Sequence, residues 1–176
     1  MLEENLISSC LEGNRLAQFQ LYQAYSKPMF NLCVRMMGNN HDAEDALQIA
    51  FTYVFLKLKS YRYEASLGSW IKKIVLNTCL NQIKRNKPSW IDLEEIEIEE
   101  RTGDQEEIKF NFKIIENCLL KLPDGYRVVL NLYLFEGYDH SEISQILGIT
   151  ESTSKSQYSR AKSKLKDLIN QYHDRI

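Results

Sequence analysis

Apolar residues recur along most of this chain at intervals of three and four, which is the spacing of one buried face on a helix. In "DAEDALQIAFTYVFLKLKS", Ala43, Leu47, Ala50, Phe51, Val54 and Leu58 form such a stripe. In "GSWIKKIVLNTCLNQIKR", Ile71, Ile74, Val75 and Thr78 do the same. Glycine and proline punctuate the pattern. Asn14 suits the cap of a helix running to about Ser26, Pro28 suits the first turn of the next, and Gly38 suits its end. A third helix is expected from Asp42 to about Ser60, and a fourth from a Ser69 cap to near Pro88. Further helices are expected from about Ile108 to Lys121, from Asp124 to Phe135, from Asp139 to Leu147 and from Thr150 onward. Alternation with a period of two is nearly absent, apart from a short run within residues 91–108 that carries too much charge to pair as a strand. The pattern predicts an all-α chain of two small helical domains.

Charge changes this picture in one place and sharpens it in two others. Residues 91–108, "IDLEEIEIEERTGDQEEI", hold nine acids and one arginine, which marks an acidic flexible linker between the two helical domains. The formal net charge is −2, but setting the linker aside leaves about +6 on the rest. That positive charge is clustered. Lys57 to Lys87 holds eight bases against the single acid Glu64, and Ser152 to Lys166 holds five serines and five cations with no acid. Two separated basic helical surfaces suit a polyanion better than a small substrate, because each phosphate contact releases condensed counterions.

The second basic run sits on a recognisable scaffold. Asp139 and Glu142 have capping-box spacing, Ile143, Ile146 and Leu147 fall on one side, Gly148 permits a tight turn, Ile149 plugs the angle, and Thr150 caps the helix that follows. This is the pattern of a helix-turn-helix. Tyr158, Ala161, Leu165 and Leu168 make the expected buried stripe of the second helix, so Ser152, Lys155, Ser156, Ser159, Lys162, Ser163 and Lys166 point away from it. Short hydroxyl side chains let a helix lie deep in the major groove, and the lysines with Arg160 reach the backbone at its edges. Thr153 and Arg160 complete the candidate set on this helix.

Two features of the N-terminal half exceed what a simple operator-binding protein needs. Opposite the buried stripe of the helix from Asp42, Ile49, Tyr53 and Leu56 form a second apolar face bordered by Asp42, Asp45 and Thr52, as expected of a surface offered to a protein partner. Trp70, Lys73, Asn77, Asn81 and Lys84 then form an outer row, preceded by Tyr61, Arg62 and Tyr63 and the small-residue loop "ASLGS". Aromatic platforms beside cations grip single strands, at about 1–3 kcal/mol per stacked base.

In this order, "DAEDALQIAF", "GSWIKKIVLNTCLNQIKR", the acidic linker and "LPDGYRVVLNLYLFEGYDHSEISQILGITESTSKSQYSRAKSKL" resemble bacterial RNA polymerase sigma factors, specifically the compact extracytoplasmic-function (ECF) group. The resemblance implies domains at 1–90 (region 2) and 109–176 (region 4). It implies that Asp42, Asp45, Gln48, Ile49, Thr52, Tyr53 and Leu56 dock on the clamp helices of the largest catalytic subunit of core RNA polymerase. Residues from Tyr61 to Arg85 would recognise and melt the minus-ten element, trapping a base flipped from one strand. The helix from Thr150 would read the minus-thirty-five element, and the linker would run through channels otherwise used by RNA, against the other large catalytic subunit. Promoter DNA, double- and single-stranded, and an anti-sigma factor are the further partners implied. The chain departs from the family at Ile49, where an acid is common, and at Ser154 and Tyr158, where aliphatic residues are usual.

Other classes fit less well. A stand-alone helix-turn-helix regulator would leave Ile49, Tyr53 and Leu56 unexplained and would favour a symmetric dimer. For an enzyme, His41, His140 and His173 are isolated, no residues stand at metal-ligand spacing, and no glycine loop cradles a phosphate, so no catalytic residue, metal or cofactor is expected. Cys10, Cys33, Cys79 and Cys118 lie far apart in apolar helical patterns and read as reduced core residues. No run of about 18 apolar residues and no basic start with an apolar stretch occurs, so no membrane insertion and a cytoplasmic location are expected.

Overall fold

The computed structural model describes residues 2–86 and 112–173. Among them are eight α-helices, one 3-10 turn and no strand. They fall into two compact units divided after Asn86. The acidic linker at 91–108 lies outside the described residues, as do residues 108–111 of the expected fifth helix.

The N-terminal unit contains α1 (Leu2–Leu11), α2 (Arg15–Met37), α3 (Asn40–Lys57) continued by a 3-10 turn (Leu58–Ser60), and α4 (Leu67–Asn86). The sequence pattern did not anticipate α1. Asn14 caps α2 by accepting from the amides of Leu16 and Ala17, and Gly38 ends it in the left-handed region. Between those two points the helix does not break at Pro28, contrary to expectation. Proline inside a helix costs about 3 kcal/mol, because it removes a donor and crowds the carbonyl four residues back. Here that carbonyl belongs to Ala24, which is exposed like Pro28 itself, so water can reach it. On the other side Leu21, Leu32, Cys33 and Met36 are almost wholly buried. At about 1.5–3 kcal/mol for each large side chain, that face outweighs the loss.

Two helix starts also shift. Asn39, not Asp42, caps α3: its side-chain oxygen accepts from the Asp42 amide at 2.9 Å. Ser66 rather than Ser69 opens α4, its hydroxyl accepting from the Ser69 amide at 3.2 Å. α3 packs on α4, and within the core Ala43, Ala46, Ala50 and Val54 of α3 and Ile71, Val75 and Cys79 of α4 are all fully buried. The alanines let the helices approach closely. Cys33 and Cys79 lie with their sulfurs 3.7 Å apart, and that contact first, then burial, holds the Cys79 thiol well above its usual value and so protonated. All four cysteines are free and buried.

The C-terminal unit contains α5 (Phe112–Leu120), α6 (Asp124–Leu134), α7 (His140–Leu147) and α8 (Glu151–His173). Leu119, Leu122, Tyr126, Leu130 and Ala161 form its core, with Ile115, Tyr158, Leu165 and Leu168 packed against it. Arg127 is 3% exposed, an unusual place for a cation. Its guanidinium donates to the Leu122 carbonyl at 2.7 Å and pairs with Asp124. The charge therefore pins the α5–α6 turn instead of facing solvent.

Candidate protein-partner and nucleic-acid interfaces

Helix α3 separates its two apolar faces cleanly. Every residue of the predicted inner stripe is buried, whereas Ile49 is 40%, Tyr53 44% and Leu56 72% exposed. Asp45, Gln48 and Thr52 are exposed beside them and Asp42 is half-buried. The Thr52 hydroxyl donates to the Gln48 carbonyl at 2.9 Å, and the Lys57 ammonium lies 5.5 Å from the Tyr53 ring centre. At the N-terminal end of this face a cleft of about 270 Å³ opens between α3 and the end of α4, lined by Met37, Asp42, Asp45, Gln48, Ile49, Gln82, Arg85 and Asn86. The side-chain oxygen of Gln82 is buried without a donor. The cleft therefore mixes two carboxylates, an acceptor and the Arg85 guanidinium with apolar side chains, which suits a polar partner side chain on an apolar stem.

The second candidate surface runs from the 61–66 loop along α4. Lys73, Asn77, Asn81 and Lys84 are all exposed on one face of α4, and Trp70 is half-buried at its start. Tyr61 needs correction as a direct contact. It is buried, its hydroxyl donates to the Ala65 carbonyl at 2.6 Å, and its ring lies between Tyr63 and Trp70 at centroid distances of 4.6 and 5.4 Å. Tyr61 therefore builds the loop and props the other two rings. Tyr63 is exposed with φ at 60°, a left-handed conformation that costs a non-glycine residue on the order of 1 kcal/mol or more. That conformation carries the ring outward, with Arg62 exposed beside it.

The third surface is the α7–α8 pair. Asp139 and Glu142 form the expected capping box, Gly148 turns the chain with φ at 72°, and the Thr150 hydroxyl accepts from the Thr153 amide at 3.0 Å. On α8, Ser152, Lys155, Ser156, Ser159 and Lys162 are exposed, and Thr153, Arg160 and Ser163 are half-buried. Thr153 shares a hydrogen bond with Thr150, 2.8 Å between hydroxyls. Lys155 pairs with Glu151 at 2.6 Å, but both are at least half exposed, so the pair contributes no more than about 1 kcal/mol and yields to a phosphate.

The buried face of α8 is more polar than its expected stripe. Ser154 and Gln157 are buried beside Ala161 and Ile169. The Ser154 hydroxyl meets Nδ1 of His140 at 2.9 Å. Tyr158 packs on Tyr133 at 4.5 Å and meets His140 edge-on at 5.5 Å. Burial pushes the Tyr158 phenol up, and Tyr133 adds to it. These contacts account for a serine and a tyrosine on this face of α8. His140 supplies a polar partner for Ser154 and an aromatic wall for Tyr158. Sequence reasoning set His140 aside as isolated, since no residue near it in the chain marks it, and its partner lies 14 positions on.

The described residues, all in helices, turns or loops, form two units, and the second carries a helix-turn-helix, the scaffold of many DNA-binding transcription proteins. The family described as Sigma-70 region 2 matches residues 21–88, and Sigma-70, region 4 matches residues 112–165. The chain is 28% identical over 169 residues to "ECF RNA polymerase sigma factor SigM" of Mycobacterium tuberculosis, covering 95% of this chain and 84% of that protein. It is 27% identical to "ECF RNA polymerase sigma factor SigW" of Bacillus subtilis, covering 96% and 97%. The solved sigma factor RpoE of Bartonella quintana, in complex with the anti-sigma factor NepR, shares the fold with a TM-score of 0.55 at 20% identity, over 86% of this chain and 95% of that one. The chain belongs to the RNA polymerase sigma factors, in the ECF group. As such it binds core RNA polymerase and promoter DNA and directs the enzyme to initiate transcription. Among the described residues no helix is long and apolar enough to cross a membrane.

Proposed function

We propose that the two units divide promoter recognition between them, with residues 1–90 binding core polymerase and opening the minus-ten element, and residues 109–176 reading the minus-thirty-five element. The observation that carries this reading is the double face of α3, buried from Ala43 to Val54 on one side and open at Ile49, Tyr53 and Leu56 on the other. Asp42, Asp45, Gln48, Ile49, Thr52, Tyr53 and Leu56 dock on the clamp of the largest catalytic subunit, with Asp42 and Asp45 pairing with a basic side chain from it. Because Ile49 stands where relatives often carry an acid, this contact is more apolar here.

Arg62, Tyr63, Trp70, Lys73, Asn77, Asn81 and Lys84 hold the separated strand, with Tyr61 supporting the stack from behind. Ser152, Thr153, Lys155, Ser156, Ser159, Arg160, Lys162 and Ser163 contact the upstream duplex. The acidic linker passes through the polymerase against the other large catalytic subunit. An anti-sigma factor of the kind bound to the Bartonella relative would hold the free protein in the cytoplasm. The protein performs no bond chemistry of its own; it supplies binding energy and strand capture.

The test is co-migration of the full chain with core polymerase on gel filtration, beside a folded Leu56→Asp variant. The reading expects the wild type to co-migrate and the variant to elute alone. A wild type that binds duplex DNA but not core polymerase would replace it with a stand-alone regulator.

A further inference from the structure

The cleft at the start of α3 has a second wall, to which docking through α3 alone gives no part. Asp42, Asp45 and Ile49 of the first turns of α3 stand on one side, and Gln82, Arg85 and Asn86 of the last turns of α4 stand on the other. The two walls carry opposite charge. Asp42 accepts from the side-chain amide of Asn39 at 2.7 Å, but the Asp45 carboxylate and the Arg85 guanidinium make no ion pair or hydrogen bond among the described residues. Both are exposed, so water and salt screen each of them in the free protein.

Gln82 differs from its neighbours. Its side chain is half-buried, and its Oε1 atom is buried without a donor. A buried acceptor left unpaired destabilises the free protein, and that loss is recovered when a ligand brings a donor to it. The cleft is also continuous with the docking face of α3, because the exposed Ile49 belongs to both. On α4, Gln82 and Asn86 are four residues apart and share one edge, while Arg85 follows Asn81 at the same interval and so stands next to the outer row that ends at Asn81 and Lys84.

We propose that core polymerase is held by α4 as well as by α3: a segment carrying a basic and an acidic side chain enters the cleft, the base pairing with Asp42 and Asp45, the acid with Arg85, and a donor between them reaching Oε1 of Gln82. The inference rests on reading α3 as the polymerase-docking helix, and it adds Gln82 and Arg85 to that surface. Opposite charges on facing walls select against a segment of one sign, which would gain at one wall and be repelled at the other. Because Arg85 borders the strand row, polymerase bound there braces the last turns of the helix that holds the separated strand.

The experiment measures the affinity of the full chain for core polymerase in the absence of DNA, so that contacts with a strand do not enter. Wild type is compared with Leu56→Asp, Gln82→Leu and Arg85→Glu, and with Lys27→Glu, which makes the same charge change at an exposed site of α2 outside the proposed surfaces. Arg85→Glu is expected to bind on the order of ten-fold more weakly, by losing one pairing and adding repulsion. Gln82→Leu is expected to bind several-fold more weakly while its melting temperature stays the same or rises, because leucine removes the unpaired oxygen. Lys27→Glu is expected to bind like wild type.

If Leu56→Asp loses binding while either Gln82→Leu or Arg85→Glu binds like wild type, the proposal alone is overturned. A lowered melting temperature in Gln82→Leu would assign that residue to the fold and overturn its role. Lys27→Glu weakened as much as Arg85→Glu would make net charge, not the cleft, the cause, and the proposal fails. If the wild type does not bind core polymerase, or Leu56→Asp binds as tightly as wild type, the reading of α3 fails and the proposal with it.

Discussion

The two units hold their working helices by different means. In the N-terminal unit, α3 and α4 bury mainly apolar side chains, Ala43, Ala46, Ala50 and Val54 on one and Ile71, Val75 and Cys79 on the other, and the proposed contact residues lie on the far faces. In the C-terminal unit, α8 is fixed partly by polar ones: Ser154 on His140, Tyr158 on Tyr133, and Gln157 buried nearby, while Arg127 pins the α5–α6 turn beneath. In both units one helix carries holding residues on one face and proposed contact residues on the other; what differs is the chemistry of the holding face. Hydrogen bonds demand a particular geometry and apolar packing tolerates small slips, so the polar contacts seat α8 in one particular orientation.

The largest effects should come from breaking the supports themselves. Ile71→Ala should destabilise the N-terminal unit by about 2–5 kcal/mol through a cavity in a fully buried site, read as a lowered denaturant midpoint. Arg127→Met should cost the C-terminal unit about 1–3 kcal/mol, because it strips the Leu122 carbonyl of its donor, and calorimetry should show one of two transitions moving alone. A single transition shifted by both variants would erase the distinction between the units.

Next come contacts that should alter function without stability. Trp70→Ala should cut promoter opening by roughly 10- to 100-fold, the loss of about 1–3 kcal/mol of base stacking, as read by permanganate reactivity of the minus-ten thymines. Lys155→Ala should weaken upstream-duplex binding uniformly across sequences and lower the salt slope by about one, with an unchanged melting temperature. The smallest effect concerns Tyr158. Its phenol titrates above its usual 10.0 in the fold, so the stability it gives as a neutral group is complete below pH 10 and is lost as pH rises through the higher folded value. Tyr158→Phe should flatten that alkaline decline and leave the melting temperature at neutral pH nearly unchanged.

Much of this was legible in the sequence, for identifiable reasons. The two faces of α3 could be read because large apolar residues mark both at helical spacing, and the helix-turn-helix because Asp139, Glu142, Gly148 and Thr150 are local signals acting within a few residues. Pro28 misled because the proline rule is local, whereas the answer lay in which way the proline faced and in the burial of Leu21, Leu32, Cys33 and Met36. Tyr61 misled because aromatic residues next to cations look alike whether the ring is open or wedged between neighbours. The pairing of His140 with Ser154 joins two helices across a turn, and no periodicity encodes it.

The division of labour between the units is tested most directly by footprinting the holoenzyme on one promoter with wild type, Trp70→Ala and Arg160→Ala. The account predicts that Arg160→Ala loses upstream protection but still protects the minus-ten strand of a promoter supplied pre-melted there, and that Trp70→Ala keeps upstream protection and fails to open duplex. If both variants lose both signals together, or if the free chain alone gives a single symmetric footprint, the account is contradicted.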